Sequence, residues 1–168
     1  MSPDPVRSYQ DANNIFETSI HSWEESAMCK QLKAALALAT SHTITKVIAL
    51  ACGSVSSGDK LFLTIRSAFQ HALLLTVRNW LIEGKQCKVG CYAQEPEYTR
   101  LDKTILEEHN IEVIEDPQAW LEVDDSSIVF ACSPNIPVKE IVADLTRPAI
   151  LIVDRVEETE RGYEGILS

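Results

Sequence analysis

The feature that most constrains the fold is a repeated alternation of short apolar runs with longer segments of helical periodicity. Five apolar runs end close to glycine or polar residues, and apolar residues recur every three or four positions between them. The predicted strands are Lys46–Cys52, Cys87–Ala93, Ile111–Ile114, Ser127–Cys132 and Ala149–Val153. This alternation predicts a mainly parallel five-stranded sheet covered by helices on both faces, with strand order 3-2-1-4-5.

The helical segments fill the gaps between these strands. Ser22 and Glu25 have the spacing of a capping box, which predicts a first helix from Ser22 to about Thr40. The other predicted helices are Thr64–Glu83, Glu97–His109, Pro117–Glu122 and Val138–Leu145. Residues 1–20 show little apolar periodicity and are predicted to be a flexible arm. Residues 21–156 then form one Rossmann-like α/β domain, and residues 157–168 form a C-terminal tail.

Charge and composition restrict the partners of a chain of 168 residues, which is the length of one domain. The formal net charge is −10 and the pI is about 4.8, so the average surface potential repels nucleic acids and anionic membranes. The N-terminus has no charged-then-apolar order of a signal peptide, which predicts a cytoplasmic or nuclear protein. Five cysteines in or beside apolar segments are expected to be reduced, buried thiols.

A ligand site in such a fold is expected where the strand order reverses, at the carboxyl ends of the first and fourth strands. The small-residue loop after the first strand, the end of the second strand and the segments after the fourth and fifth strands meet there. The candidate ligand-binding residues in or near this crevice are Gly53, Ser54, Ser56, Gln70, Glu95, Cys132, Ser133 and Asp154.

Each of these candidates has a structural interpretation as well as a functional one. The loop from Gly53 to Gly58 could cradle an anion or ribose group, but it lacks the full three-glycine fingerprint and could be a structural turn. Glu95 occupies the position where nucleotide-binding folds place a ribose-binding carboxylate, and it could equally be a solvated carboxylate.

The chain offers little for catalysis or metal binding. A nucleophilic Cys132 would need a neighbouring base, and no histidine is predicted near a strand end. Cys87 and Cys91 lack the second pair of ligands that a structural zinc ion needs. His71, in a leucine-rich helix, is expected to be satisfied by a backbone carbonyl. No catalytic residue and no metal ligand are therefore predicted, and the cofactor is unknown.

The ordered segments together resemble the SRR-like family, named after sensitivity to red light reduced. The resemblance rests on IALACGSVSS, SAFQHALLLTV, YAQEPEYTRLDKTIL, IEVIEDPQAW and VFACSPNIPVKEIV, and it covers about Ser22 to Val156. Many members have Asp-Pro at Glu95-Pro96 and a Pro-His-Cys group near Cys132-Ser133-Pro134. The chain is similar to the fungal-type branch in these positions.

The resemblance implies a regulatory role, because the family is associated with light signalling and circadian timing in plants and has some links to haem metabolism. The first hypothesis is a non-catalytic regulatory or stress-related signalling domain that binds a protein partner and is tuned by a small ligand. The alternative, which rests on fold analogy, is a nucleotide- or S-adenosylmethionine-binding enzyme. Enzymatic activity is left open, with the non-enzymatic interpretation favoured.

Overall fold

The protein has a central parallel sheet. The computed structural model describes residues 5–38, 43–85, 88–132, 144 and 147–153. The strands are β1 (Lys46–Leu50), β2 (Gly90–Gln94), β3 (Glu112–Val113), β4 (Ser127–Ala131) and β5 (Ile150–Val153). All pairings between these five strands are parallel, and the order is β3-β2-β1-β4-β5. The predicted fold class and strand order are confirmed.

The helices of the described residues are α1 (Tyr9–Glu24), α2 (Ala27–Leu38), α3 (Leu61–Lys85), α4 (Arg100–Glu108) and α5 (Gln118–Glu122). α3 and α4 connect consecutive strands and cover one face of the sheet together with α1. α5 covers the other face, where Ala119 and Val123 pack against Ile48 and Val129. The predicted helix Val138–Leu145 lies outside the described residues, apart from Asp144.

The predicted flexible arm is wrong for residues 9–20, because they form most of α1. Ser8 begins this helix, and its side chain accepts a hydrogen bond from the Asp11 N–H. Ala12 and Phe16 are completely buried in the core against α3. Burial of these side chains stabilises α1 on the domain, and the arm's low overall apolar content had hidden this face.

The predicted capping box at Ser22 is also wrong, since α1 continues through this residue to Glu24. The helix is interrupted at Ser26 instead, between the end of α1 and the start of α2. The Ser26 hydroxyl donates to the Trp23 carbonyl at 2.6 Å and accepts from the Cys29 N–H at 3.1 Å. One side chain therefore ends α1 and starts α2, which divides the single predicted helix into two.

The sheet has alternating side chains on its two faces. Ile48 and Leu50 of β1 face the α5 side, whereas Val47 and Ala49 face the α3 side. All strands end at one edge, where β1 leads into the loop of residues 51–60 that precedes α3. The sequence predicts a ligand site at this edge.

Candidate functional site

The loop after β1 turns sharply at Gly53, which has a φ of +76°. A Cβ atom at this position would lie 2.4 Å from the Ser67 hydroxyl oxygen of α3. Glycine is thus required both by the left-handed backbone and by the close approach of α3. This part of the sequence interpretation, a turn with close backbone approach, agrees with the structure.

Glu95 closes the start of this loop. One of its carboxylate oxygens accepts a hydrogen bond from the Gly53 N–H at 3.0 Å, and the other accepts from the Glu97 N–H at 3.1 Å. The carboxylate therefore binds the loop at the carboxyl edge of the sheet, in agreement with its position after β2. The Glu95 side chain is half-buried, and both of its carboxylate oxygens accept hydrogen bonds from backbone N–H groups of the protein.

A second carboxylate, which the sequence interpretation missed, fills the centre of the loop. Asp102 in the first turn of α4 is completely buried. Its oxygens accept four hydrogen bonds at 2.6 to 3.0 Å, from Ser54 Oγ and from the backbone N–H groups of Val55, Ser56 and Thr99. The loop and α4 are therefore joined through one buried negative charge.

The serines of the loop also bind within the protein. Ser54 Oγ accepts hydrogen bonds from the N–H groups of Ser56 and Ser57 at 3.2 and 2.9 Å. Ser56 Oγ lies 2.6 Å from the Thr99 hydroxyl and is completely buried. Their side chains face the interior of the domain and not an open crevice.

An N-terminal segment covers the loop from the other side. Val6 forms an antiparallel bridge with Ser57, and the Arg7 N–H donates to the Ser56 carbonyl at 2.7 Å. Arg7 Nη1 and Thr64 Oγ1 are the buried side-chain atoms without a hydrogen-bond partner in the described part of the chain. Both belong to segments that flank the loop.

A hydrogen bond joins His71, which is completely buried on α3, to the partly buried Tyr98. The His71 Nδ1 atom is 2.6 Å from the Ser67 carbonyl, and Nε2 is 2.6 Å from the Tyr98 hydroxyl. Because a carbonyl only accepts, Nδ1 carries the proton and Nε2 accepts from Tyr98. Burial lowers the pKa of His71 to about 4, so the ring is neutral.

Burial, and secondarily the neighbouring Cys52, Glu95, Asp102 and Cys132, raise the pKa of Tyr98 well above its ordinary value. His71 is satisfied by a backbone carbonyl, as predicted. His71 is connected to the end of β2 through Tyr98, which lies four residues beyond that strand. Its bond to Tyr98 occupies the nitrogen that a base would need.

The structure brings together five of the predicted site residues: Gly53, Ser54, Ser56, Glu95 and Cys132. Cys132 follows β4, is buried, and lies 3.0 Å from the Cys52 sulfur. Gln70 is half-buried on α3, and no hydrogen bond among the described residues joins it to the loop. Ser133 and Asp154 lie outside the described residues.

The described residues contain no group of three or more His, Cys, Asp and Glu side chains arranged to hold a metal ion. Within the same residues, no helix is both long and apolar enough to cross a bilayer.

Fold and site together define a Rossmann-like α/β domain in which Glu95 and Asp102 bind the N–H groups of the loop after β1. The model of one family, the SRR1 domain, matches residues 17–166 of the chain. The chain therefore belongs to the SRR1 domain family, and the resemblance seen in the sequence is confirmed. No match was found among curated proteins or among solved structures.

Proposed function

We propose that the chain is a non-catalytic regulatory domain that acts by binding a protein partner. One observation carries this proposal: the loop that would hold a nucleotide phosphate is saturated from within. The N–H groups of Gly53, Val55 and Ser56 all donate to carboxylates of the protein. These are the groups with which Rossmann-like folds bind phosphate.

Charge strengthens the argument against a nucleotide. A phosphate at the loop would have to displace Asp102 and would lie beside the negative charges of Asp102 and Glu95. Glu95, the residue placed to bind a ribose, already accepts from the loop. The alternative function is a nucleotide- or S-adenosylmethionine-binding enzyme. The loop N–H groups that would bind the phosphate or carboxylate of such a ligand, and the Glu95 carboxylate that would bind its ribose, are already hydrogen-bonded within the protein.

An exposed apolar surface at the same edge of the sheet supports partner binding. Leu61, Phe62 and Leu63 begin α3 directly after the loop, and they are 52%, 66% and 45% exposed. Single exposed apolar residues are common, but three in succession are unfavourable in water unless another molecule covers them. We call these three residues the α3 start and propose that an apolar segment of a partner packs on it.

The family supports the regulatory part of this proposal, since a regulatory role is consistent with the SRR1 domain. The proposal extends to signalling in a light, circadian or stress response and to a cytoplasmic or nuclear location. Tuning by a small ligand would act where hydrogen-bonding capacity is unmet, at Arg7 Nη1 and Thr64 Oγ1.

The α3 start is tested by affinity purification with the full chain, followed by titration of each recovered protein against the purified chain. Phe62→Ser should weaken the binding of a true partner by about 30-fold or more, the loss typical of an interface hot spot. Leu121→Ser is the matched control, because Leu121 is 71% exposed on α5. A recovered protein that binds both variants like the wild type contradicts the proposal.

The enzymatic alternative is tested by thermal unfolding with millimolar ATP, NAD or S-adenosylmethionine. We expect no rise in Tm beyond about 1 °C, because a ligand that binds only the folded state must raise it by mass action. A rise of several degrees with one ligand, abolished by Glu95→Ala, would favour the enzyme and refute the regulatory proposal.

A further inference from the structure

Two thiols meet at the carboxyl edge of the sheet. Cys52 lies two residues after the end of β1, and Cys132 directly follows β4, the neighbouring strand. The Cys132 N–H donates to the Leu50 carbonyl at 3.2 Å, which extends the pairing of the two strands. The two sulfur atoms are 3.0 Å apart and both side chains are buried.

An unusual backbone conformation produces this contact. Leu50 packs on the α5 side of the sheet, so regular alternation would also direct Cys52 to that side. Ala51 has a φ of +57°, which few residues other than glycine adopt, and the chain leaves the strand there. Cys52 consequently packs on the α3 side, in the same core cluster as Cys132.

We propose that Cys52 and Cys132 form a redox modification site, which a hydroperoxide oxidises reversibly to a disulfide. A disulfide bond is about 2.05 Å long, so the sulfurs need to approach each other by only about 1 Å. The oxidant must be small, because the side chains of Cys52 and Cys132 are only 1% and 3% exposed.

The reaction balances with hydrogen peroxide as the two-electron oxidant. One cysteine thiolate attacks a peroxide oxygen, the O–O bond breaks, and a sulfenic acid and hydroxide form. The second thiol attacks the sulfenic sulfur, the S–S bond forms, and the oxygen leaves as water. In total two thiols lose two electrons and two protons, and one peroxide becomes two water molecules. A dithiol reductant reverses the reaction.

Two other buried thiols serve as internal controls. Cys29 packs with Trp23 and Ala72 among α1, α2 and α3, in a different core cluster from Cys52 and Cys132. Cys91 lies on β2, and burial raises its pKa to about 12, which keeps it protonated. Among the described residues, only Cys52 and Cys132 place two sulfur atoms in contact.

The modification goes beyond the proposed function, and each can fail without the other. Oxidation would join the turn that precedes Gly53 to the end of β4, whereas the proposed partner packs on the α3 start. Oxidation is measured on the isolated protein and needs no partner. A negative result in either experiment therefore leaves the other interpretable.

The test is peroxide treatment of the folded full chain, followed by quenching with catalase, alkylation, digestion and mass spectrometry. We expect a peptide pair joined through Cys52 and Cys132, a loss of two hydrogen atoms per chain, and reversal by dithiothreitol. Cys132→Ala should abolish the joined peptides, whereas Cys29→Ala should leave them at the wild-type yield.

Several results would overturn the proposal. Peroxide could leave both thiols fully open to alkylation, or it could join Cys29 or Cys91 as often as the proposed pair. The joined peptides could also form only in urea, which would make them a product of the unfolded chain. The wild-type result needs no variant, so a poorly folded Cys132→Ala protein does not prevent the decision.

Discussion

Replacing Asp102 with asparagine keeps the shape of the side chain and removes its charge from the centre of the loop. Oδ1 accepts from the N–H groups of Val55 and Ser56, and Oδ2 accepts from Ser54 Oγ and the Thr99 N–H. Asparagine has one carbonyl oxygen, so with that oxygen at the Oδ1 position its amide group faces the Thr99 N–H. Two donors then oppose each other in the interior.

The cost follows from these contacts. A buried donor without an acceptor costs about 1–3 kcal/mol, and the remaining hydrogen bonds lose the additional strength that a charged acceptor provides. We expect Asp102→Asn to lower the free energy of unfolding by about 3 kcal/mol. For a chain of this size the corresponding fall in Tm is roughly 10 °C.

Urea unfolding followed by circular dichroism measures this change. Asp59→Asn is the matched control: it is the same substitution within the loop that Asp102 binds, but the Asp59 side chain is exposed, and the expected change is within about 0.5 kcal/mol. If both variants unfold at the wild-type urea concentration, Asp102 does not hold the loop. The account of the site would then be refuted.

Three further predictions concern the same domain. Phe16→Ala should cost about 3–5 kcal/mol in the urea assay because Phe16 is completely buried, whereas exposed Thr18→Ala should cost little; equal effects would contradict the docking of α1. Gly53→Ala should lower stability by about 2–3 kcal/mol through its positive φ and its clash with Ser67, and Ser67→Ala should restore part of that loss; no rescue would remove the clash from the explanation. Burial lowers the pKa of His71 from 6.5 to about 4. As the pH falls, His71 is therefore protonated in the unfolded chain before it is protonated in the folded chain, and the free energy of unfolding should drop by about 3 kcal/mol between pH 7 and pH 4. His71→Gln should flatten that pH dependence, and an unchanged slope would show that the loss has another source.

The sheet could be predicted because its signals are local. Continuous apolar runs such as Lys46–Cys52 are typical of strands buried on both faces, and alternation with helices requires right-handed crossovers. The ends of the elements were less accurate. β2 begins at Gly90, three residues after the predicted Cys87, and α3 begins at Leu61, three residues before the predicted Thr64.

The centre of the site was missed because it depends on where α4 begins. A helix predicted from Glu97 places Asp102 within its second turn, where a carboxylate is expected to be solvated. The structure begins α4 at Arg100 with a capping box between Thr99 and Asp102. The Thr-x-x-Asp spacing could have predicted this capping box. It could not have predicted that Asp102 also accepts hydrogen bonds from the distant N–H groups of the loop.

α1 was also missed by the sequence analysis, because its buried face is weakly apolar. Its buried positions Ala12, Phe16, Ser19 and Trp23 follow a helical spacing, but alanine and serine contribute little apolar character. The remaining positions of the segment are mostly polar. Only the packing of Phe16 and Trp23 against α3 shows that this segment belongs to the core.

Amide hydrogen exchange at Val55 and Ser56, measured by NMR with and without nucleotides, tests directly whether Asp102 closes the loop. Both N–H groups donate to the buried Asp102 carboxylate, so they should exchange slowly in the chain alone. Millimolar ATP, NAD or S-adenosylmethionine should leave those rates unchanged. Fast exchange in the chain alone, slowed by one of these ligands, would show instead that the loop is an open nucleotide site.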